Sequence, residues 1–436
     1  MRWKQKFELT IVAVFVVFAL PGCGLLRRAM SLGQSSITET PAPTAKPLPT
    51  ATATVPQPTA TATTTVVETP TPDAAPTGEA VPTVVKSPPE TVNVPEGFGI
   101  SVFADGLLNP RMMAVGPDEQ LYLAERGAQR IVRLADRNAD GLVDFIEVVA
   151  DEGLQSPSSL AFYEDGSLYV GDTTRILRFY PPEDITEVWT EFDVVIDGLP
   201  SGGHSTRTVL FSPDYETLFV SIGSSCNVCV EEDERRATIM RYDPDGSNGE
   251  IYAEGMRNAV GITFRPGTAE LWATNNGRDW LGDDQPPETV YKLTTSGTDA
   301  GWPRCHSGRI IDPEFGEEGD CEGVLEPVVE MQAHSAPLGL GFYTGEQFPE
   351  RYRGDLFVAF HGSWNRSVPT GYKVVRVPLD DGAPGQVEDF AVGWLRDDGS
   401  EWGRPVDVIT GSEGSLFVSD DGEGRIYRIF YTEERE

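Results

Sequence analysis

The chain has 436 residues and a formal net charge of −34 at pH 7, because 68 acidic side chains outnumber 34 lysines and arginines. This length suits either two average domains or one large all-β domain with additional segments. Nucleic acid is excluded as a partner, since binding to phosphates requires a basic surface that displaces counterions. Such acidity fits an exported protein better.

The first 22 residues have the pattern of an export signal. A basic start that includes Arg2 precedes the apolar run from Ile11 to Leu20, which is too short to span a bilayer comfortably. Cys23 follows where a cleavage site is expected. The pattern resembles a bacterial lipoprotein signal, so we predict a cell-envelope protein that contacts the membrane only through a lipid on Cys23. Plain secretion is the alternative.

Residues 23–90 are predicted to be a disordered linker that begins with the lipidated cysteine. From about Ser36 to Pro89 the sequence is dominated by proline, threonine, alanine and valine. Such a composition cannot bury enough apolar area to offset the loss of chain entropy, and its prolines favour extended conformations. We therefore expect the folded domain to occupy residues 91–436.

The folded domain repeats one short pattern six times: leucine, an aromatic residue, an apolar residue and a small residue. The copies begin at Leu121, Leu168, Leu218, Leu271, Leu356 and Leu416. Several copies follow a tight turn and precede a second strand-like run, as in Arg130-Ile131-Val132-Arg133. Strand, turn and strand at roughly 40 to 50 residues per unit is typical of a β-propeller blade. We predict an all-β, six-bladed propeller.

Four cysteines lie in the folded domain, and in an oxidising compartment an even number indicates two disulfides. They are Cys226, Cys229, Cys305 and Cys321. Three connectivities are possible, and we favour Cys226–Cys229 with Cys305–Cys321 because each pair closes a local loop. One zinc ion on four thiolates is a weaker alternative, since the second pair lacks the Cys-x-x-Cys spacing. The segment from Gly301 to Cys321 is expected to be an insertion that caps one end of the propeller.

Two acidic loops are candidates for metal binding. The first matches the calcium-loop pattern D-x-N-x-D-G-x5-E, with candidate ligands Asp136, Asn138, Asp140, Leu142, Asp144 and Glu147. Strand-like sequence flanks it, so we predict a stabilising calcium hairpin, with a solvated acidic turn as the alternative. The second runs from Asn275 to Pro287 and contains Asp279, Asp283 and Asp284. Its spacing supports two interpretations almost equally: a site for a hard metal ion, and a turn held by its own hydrogen bonds without a metal.

The candidate catalytic residues lie in Gly202-Gly203-His204-Ser205-Thr206-Arg207, just before a strand-like run. Imidazole is suited to accept a proton near neutral pH, and a guanidinium offers a fixed fork of donors to an anionic oxygen. Further cations stand near loop-to-strand junctions of other blades, at Arg257, Arg366 and Arg404. In an acidic protein this spacing favours a cationic pocket for an anionic ligand.

At these residues the chain resembles the glucose/sorbosone dehydrogenase family, the soluble sugar dehydrogenases that use pyrroloquinoline quinone (PQQ). The similarity covers about Pro95 to Tyr431. It rests on several motifs in order, namely the His204/Arg207 stretch, Gly255-Met256-Arg257-Asn258, the Asn275–Pro287 loop, Gly301-Trp302-Pro303, Ala336-Pro337-Leu338-Gly339, His361–Arg366 and Gly403-Arg404-Pro405. The family's fold is a six-bladed propeller, in agreement with the independent count of repeats.

The resemblance implies a role for each matching residue. His204 would be the general base, removing the proton of the anomeric hydroxyl while hydride passes to the quinone. Residues that would hold the cofactor are Arg257, Asn258, Arg366, Lys373 and Arg404. Calcium would bind the carbonyl groups of Gly277 and Arg278 and act as a Lewis acid, with Asp279, Asp283 and Asp284 near it. A sugar substrate and an electron acceptor are the implied partners.

The chain departs from the family pattern in two places: His204 and Arg207 are three residues apart where members often have a spacing of four, and one cofactor position differs. Better-known members carry a second arginine two places after the residue matching Arg404, where this chain has Val406. Two alternatives to a quinoprotein therefore stay open. One is a calcium-dependent propeller hydrolase of the lactonase type, with the ion on the channel axis. The other is a non-catalytic propeller that binds carbohydrate or protein.

Overall fold

The computed structural model describes residues 79–80 and 91–432. The predicted signal peptide, Cys23 and nearly all of the predicted linker lie outside the described residues. The chain divides into Met1–Pro72 and Asp73–Glu436, and every feature below belongs to the second unit. No helix in the described part of the chain has the length and apolar character needed to cross a membrane.

The described residues form six blades, numbered here in chain order, and each blade is a sheet of four antiparallel strands. From the innermost strand outward, their bounds are Pro110–Val115, Leu121–Glu125, Arg130–Ala135 and Phe145–Ala150 in blade 1; Ser159–Phe162, Leu168–Asp172, Arg175–Phe179 and Phe192–Ile196 in blade 2; Val209–Phe211, Leu218–Ile222, Thr238–Tyr242 and Glu250–Glu254 in blade 3; Ile262–Phe264, Leu271–Asn275, Glu288–Leu293 and Val329–Met331 in blade 4; Pro337–Phe342, Leu356–Phe360, Lys373–Val377 and Glu388–Val392 in blade 5; and Pro405–Thr410, Leu416–Asp420, Arg425–Tyr431 and Phe98–Ala104 in blade 6.

Short elements complete the fold. Glu79–Ala80 adds to the outer edge of blade 1, and Thr298–Asp299 adds in parallel to blade 3. The remaining elements are two small hairpins, Cys305–His306 with Ile310–Ile311 and Leu379–Asp380 with Ala383–Pro384, and two 3-10 turns, Arg126–Ala128 and Glu350–Tyr352.

The repeat found in the sequence is the second strand of every blade, so the predicted blade count is confirmed. All five residues of each second strand are buried. A second strand is covered by neighbouring blades on both faces, which explains why its sequence is apolar throughout and not alternating. Six apolar clusters fill the spaces between adjacent blades, and together they are the core of the ring.

Ring closure depends on a strand that the repeat did not reveal. Phe98–Ala104 is the outermost strand of blade 6 and pairs with Arg425–Tyr431, with Ile100 opposite Ile429. The ring of Phe98 packs edge to face against Phe348, Tyr352, Phe390 and Tyr431. The two ends of the propeller sequence are therefore joined in one sheet.

Side-chain hydroxyls link the innermost parts of neighbouring blades. Thr208 of blade 3 donates to the carbonyl of Val260 at 2.5 Å, and Thr274 of blade 4 donates to the carbonyl of Leu338 at 2.8 Å. Across the closure, Ser419 of blade 6 donates to the carbonyl of Arg111 at 2.8 Å. These bonds satisfy buried carbonyl groups that no sheet ladder reaches.

Apolar side chains close the central channel. Met112, Val260, Leu338 and Val406 form one buried cluster, and all four lie on or just before innermost strands. Val406 is 0% exposed and belongs to this apolar cluster. Better-known family members have an arginine at this position. The innermost strands line a cavity of about 390 Å³, whose wall includes Met112.

Both predicted disulfides are present, Cys226–Cys229 and Cys305–Cys321. The second closes the predicted insertion, which contains the small hairpin Cys305–His306 with Ile310–Ile311. The insertion packs beside the entrance to blade 4, because Asp312 pairs there with Arg278.

Removal of the closure bond is predicted to destabilise the ring. Ser419→Ala leaves the carbonyl of Arg111 without its donor in a fully buried position and also removes the acceptor of the Asp407 amide. We expect the free energy of unfolding to fall by about 1–3 kcal/mol, measured by urea denaturation. Ser412→Ala is the matched control, because Ser412 also donates to a blade 1 carbonyl, of Glu119, but is exposed. Equal losses in both variants would contradict this account.

Candidate active site

Two buried arginines hold the loop 200–206 that carries His204. Arg207 is 0% exposed and donates only to backbone carbonyls, those of Pro200, His204 and Thr206. Arg236 is 7% exposed and likewise donates only to carbonyls, those of Ser201, Gly202 and Gly223. Neither arginine forms an ion pair with a carboxylate among the described residues. The loop is therefore wrapped around two positive charges that only carbonyl dipoles stabilise.

This geometry corrects the expectation that Arg207 donates to an anionic ligand. Its guanidinium is fully occluded: NH1 and NH2 donate to the loop itself, and Nε is buried without a partner. Burial lowers the pKa of Arg207 to about 10, with a further contribution from Arg236. Arg207 is thus a positioning residue for His204. Arg236, which sequence reasoning missed, has the same function.

The surroundings of His204 fix its tautomer. Nδ1 lies 3.1 Å from the carbonyl oxygen of Ser224 and 2.9 Å from its hydroxyl oxygen. A carbonyl only accepts, and the Ser224 hydroxyl already donates to the carbonyl of Cys226 at 2.7 Å. Nδ1 must therefore carry the proton, which we assign from these partners. The lone pair is on Nε2, which has no hydrogen-bond partner among the described residues.

His204 is neutral at physiological pH. Burial, together with the positive charges of Arg257, Arg236 and Arg207, lowers its pKa from 6.5 to about 4. A neutral imidazole with a free Nε2 is the form required of a general base. An anionic ligand nearby would raise this pKa towards its usual range, because it would offset the three positive charges.

Asn258 lies next to His204 across a single glycine. A Cβ atom on Gly223 would come within 2.5 Å of the Cβ of His204 and 2.6 Å of the Oδ1 of Asn258. Only glycine permits this approach, so Gly223 is a site residue that sequence reasoning missed. The side-chain amide of Asn258 forms no hydrogen bond with any described residue, which leaves it free for a ligand.

Arg257 is fixed by its neighbours from the adjacent loops. Its Nε donates to the carbonyl of Asn227 at 2.9 Å, and its NH2 group donates to Asn227 Oδ1 at 3.0 Å and Asp279 Oδ2 at 2.7 Å. Arg257 is 4% exposed. Burial lowers its pKa, and Asp279 opposes that effect. The structure therefore places Arg257 in the same region as His204 and holds it rigidly.

The predicted calcium carbonyls lie on a loop that a buried acid orients. Glu288 accepts from the backbone amides of Gly277 at 2.6 Å and Ala336 at 3.2 Å. Burial raises the pKa of Glu288 to about 7. The carbonyl oxygens of Gly277 and Arg278 accept no hydrogen bond from the described residues, so both are free to coordinate a cation.

The side chain of Arg278 points elsewhere, into the insertion. It pairs with Asp312, which is 0% exposed and also lies 2.9 Å from Nε2 of His306. Although burial acts to raise it, the hydrogen bonds from Arg278 and His306 bring the pKa of Asp312 down to about 2. Arg278 can thus offer a metal only its backbone carbonyl.

The three carboxylates predicted to lie near this calcium ion do not converge. Asp279 pairs with Arg257, Asp284 lies 3.1 Å from Arg366, and Asp283 accepts from the amide and hydroxyl of Ser367. They fasten the 279–284 segment to its neighbours. Among the described residues, three potential side-chain ligands meet only at Cys226, Cys229 and Glu231, and those two sulfurs form a disulfide.

Arg404 and Lys373 differ in their partners. Arg404 donates to the carbonyls of His361 and Gly362 at 3.2 Å each, is half-buried, and has no carboxylate partner among the described residues. Lys373 begins the third strand of blade 5, and its Nζ lies 2.5 Å from Asp389 on the outermost strand. The ammonium group of Lys373 is therefore engaged by Asp389, which gives no support to the expectation that Lys373 binds the cofactor.

Unsatisfied polar atoms mark the region around Arg366. Both amide atoms of Asn365 and the Nε of Arg366 are buried without a hydrogen-bond partner. Nearby, Trp280 and Trp364 are 65% and 64% exposed, and their rings meet edge to face at 5.0 Å. Buried polar groups without partners indicate a missing polar ligand or water. The exposed indoles add an apolar face beside them.

Arg126 is a further cation that sequence reasoning missed. It follows the second strand of blade 1 and donates to the hydroxyl of Ser205 at 3.0 Å, one residue beyond His204. Among the described residues it has no carboxylate within ion-pairing distance. Burial lowers its pKa, as does the neighbouring Arg111. No motif marked this residue, since its proximity to His204 arises only from ring closure.

The predicted calcium hairpin joins the third and fourth strands of blade 1. Asp136 accepts from the amides of Asp140 and Gly141, Asn138 accepts from Asp140, and Asp140 accepts from Leu142. Asp144 accepts from the amide of Arg137 at 2.9 Å. Glu147 does not join them, because Arg133 and Arg137 bind both of its oxygens. The loop is a hairpin as predicted, with Glu147 removed from the candidate ligands.

The neutral state of His204 gives a direct prediction for the cofactor-free protein. We expect His204 to be half-protonated at about pH 4, whereas an exposed histidine titrates near 6.5. Nitrogen-15 NMR titration measures this, and His204→Ala identifies the signal. A midpoint near 6.5 would contradict the buried, positively charged environment.

Comparison with known proteins agrees with the sequence motifs. The TrAA12-like family profile matches residues 92–292 and 311–432. An uncharacterized protein of Borreliella burgdorferi is 30% identical over 358 residues, which cover 78% of this chain and 91% of that protein. The pyrroloquinoline quinone-dependent pyranose dehydrogenase of Coprinopsis cinerea is 26% identical over 407 residues, which cover 78% of this chain and 54% of that protein.

The solved structures agree on the fold. A family AA12 carbohydrate-active enzyme of Trichoderma reesei superposes with a TM-score of 0.69 at 21% identity, covering 80% of this chain and all of that chain. At this identity the likeness shows the fold alone. Taken with the profile match, it assigns this chain to the TrAA12-like family of six-bladed propellers, the family of PQQ-dependent sugar dehydrogenases.

Proposed function

We propose that this protein oxidises a sugar at its anomeric carbon, using PQQ and calcium, with His204 as the general base. The observation that carries the proposal is the free lone pair on Nε2 of a neutral His204. It stands beside Asn258 and near Arg257 and Arg126, in a region rich in positive charge.

The residues around His204 fit an anionic planar cofactor. Arg257, Asn258 and Arg404 would hold it, because Asn258 has an unused amide and Arg404 has no acidic partner among the described residues. The buried amide of Asn365 supplies two further unused polar atoms. The carbonyls of Gly277 and Arg278 are suitable oxygen ligands for calcium. Bound there, the quinone would accept hydride from the anomeric carbon, with calcium polarising its carbonyl.

The protein's own contribution is the handling of one proton. Nε2 of His204 would take the proton of the anomeric hydroxyl, so that the departing hydride leaves a neutral lactone. The Nδ1–H group stays bonded to Ser224 throughout, which keeps the ring oriented and stabilises the imidazolium that forms. Trp280 and Trp364 would exclude water and offer apolar faces to the sugar ring.

The hydrolase alternative has less support. A lactonase-type propeller would need calcium ligands on the channel axis, but Met112, Val260, Leu338 and Val406 are apolar. The non-catalytic alternative is compatible with the same arrangement of residues around His204 and differs from the dehydrogenase only in that no cofactor binds. A binding measurement therefore separates it from the dehydrogenase.

Loss of the base should abolish turnover while cofactor binding remains. We expect the wild-type protein, supplied with PQQ and calcium, to reduce an artificial dye with aldoses, and His204→Ala to lower kcat by about 10²–10⁴-fold.

Arg404→Ala should weaken PQQ binding about tenfold or more. Lys373→Ala is the matched control, and its affinity should stay within about twofold because Lys373 is directed at Asp389. Absence of PQQ binding at micromolar concentration would favour the non-catalytic alternative.

We further propose that the 136–144 hairpin binds calcium for stability. Chelation should lower the melting temperature of the cofactor-free protein, and Asp140→Ala should remove that response. Asp184→Ala, in an exposed turn of blade 2, serves as the control and should respond to chelation like the wild type. An unchanged melting temperature in the wild type would refute calcium binding by this loop.

A further inference from the structure

The Cys226–Cys229 disulfide lies between the two main parts of the candidate site. It closes a ring with only two residues between the cysteines, and both cysteines are half-buried. Ser224 lies two residues before Cys226, and Asn227 is inside the ring. These two residues contact His204 and Arg257, respectively. The proposed function uses both of those side chains but assigns no purpose to the disulfide.

On one side, the ring holds one of the two acceptors that face Nδ1 of His204; the other is the backbone carbonyl of Ser224. The Ser224 hydroxyl donates to the carbonyl of Cys226 at 2.7 Å, so its oxygen is left as an acceptor for Nδ1 at 2.9 Å. If the Cys226 carbonyl moved, the hydroxyl proton would be free to point at the imidazole instead. The Ser224 carbonyl would then be the single acceptor facing Nδ1, so the preference for the Nδ1–H tautomer, which leaves the Nε2 lone pair to the substrate, would weaken.

On the other side, Asn227 uses its backbone and side chain to hold Arg257 and Asp279. Its carbonyl accepts from Arg257 Nε and from Trp302 Nε1, the latter at 3.2 Å. Its Oδ1 accepts from Arg257 at 3.0 Å and from the amide of Asp279 at 2.8 Å. Its Nδ2 donates to the carbonyl of Asp279 at 3.1 Å. One residue thus sets both the guanidinium and the start of the acidic 279–284 segment.

We propose that the Cys226–Cys229 ring positions the active site, fixing the Nδ1–H tautomer of His204 through Ser224 and the orientation of Arg257 through Asn227. A ring of this size restricts the backbone of the residues that it encloses, so the carbonyls of Cys226 and Asn227 stay where Ser224 and Arg257 need them. Asn227 and Ser224 are positioning residues, because they act on substrate and cofactor only through other side chains.

The tautomer can be read without any cofactor. The sequence contains only four histidines, so long-range nitrogen-15 NMR spectra of the cofactor-free protein can be assigned with His204→Ala. We expect His204 to be predominantly Nδ1–H in the wild type and a mixture of tautomers in the double variant Cys226→Ser/Cys229→Ser. An unchanged Nδ1–H signal in that variant would overturn the proposal for His204.

The effect on Arg257 is measured by affinity for PQQ in the presence of calcium, and this part rests on the proposed function. We expect the dissociation constant to rise about tenfold or more in both Cys226→Ser/Cys229→Ser and Asn227→Ala. Asn227→Ala should leave the His204 tautomer unchanged, which separates the two sides of the ring. Unchanged affinity in both variants would overturn the proposal for Arg257. If the wild type binds no PQQ, the proposed function fails while the NMR test still stands.

The second disulfide is the matched control for general loss of stability. Cys305→Ser/Cys321→Ser removes a bond from the insertion and should lower the melting temperature without altering the His204 signal. If the first double variant does not fold, dithiothreitol provides the same test on the folded wild type. It would reduce Cys226–Cys229 to two thiols and itself be oxidised to a cyclic disulfide. The sulfur of Cys305 is less accessible to the reductant, because Cys305 is 0% exposed. A tautomer that is insensitive to this reduction would contradict the proposal.

Discussion

The arrangement of the site depends on two buried guanidinium groups that have no carboxylate partner among the described residues. Arg207 and Arg236 donate hydrogen bonds to carbonyls of the 200–206 loop and of Gly223. Burial of a cation is costly unless its donors are satisfied, so the loop must keep its carbonyls turned inwards. This constraint fixes the backbone of His204, and the same charges help to keep its imidazole neutral.

A strongly acidic chain thereby presents a locally positive site. Many of its other arginines are neutralised within a blade, as Arg133 is by Glu147 and Arg241 is by Glu250. Arg126 and Arg404, by contrast, have only hydroxyl or carbonyl hydrogen-bond partners among the described residues. The positive field of these arginines attracts a small anion, such as the proposed anionic cofactor.

The sequence predicted most reliably those strands that are buried on both faces. The second strand of each blade is covered on both faces, so its apolar pattern is visible six times. The closing strand Phe98–Ala104 lies at an outer edge and has no such signature. The His204, Arg257 and Asn258 motifs also led to residues that the fold brings together.

Other site features could not be predicted because they depend on distant backbone. Nothing in the sequence says that Arg207 bonds to carbonyls of its own loop, or that Lys373 pairs with Asp389 across a strand. Glu288 reads as an ordinary strand residue, yet it orients Gly277 from eleven residues away. Gly223 matters only because two side chains from different blades meet above it. Such contacts are set by ring closure and not by local spacing.

A crystal structure of the protein with PQQ and calcium tests the central claim most directly. The account predicts the quinone against Asn258, Arg257 and Arg404, calcium on the carbonyls of Gly277 and Arg278, and Nε2 of His204 facing the substrate side. A quinone bound away from His204, or His204 with Nε2 turned into the protein, would contradict it.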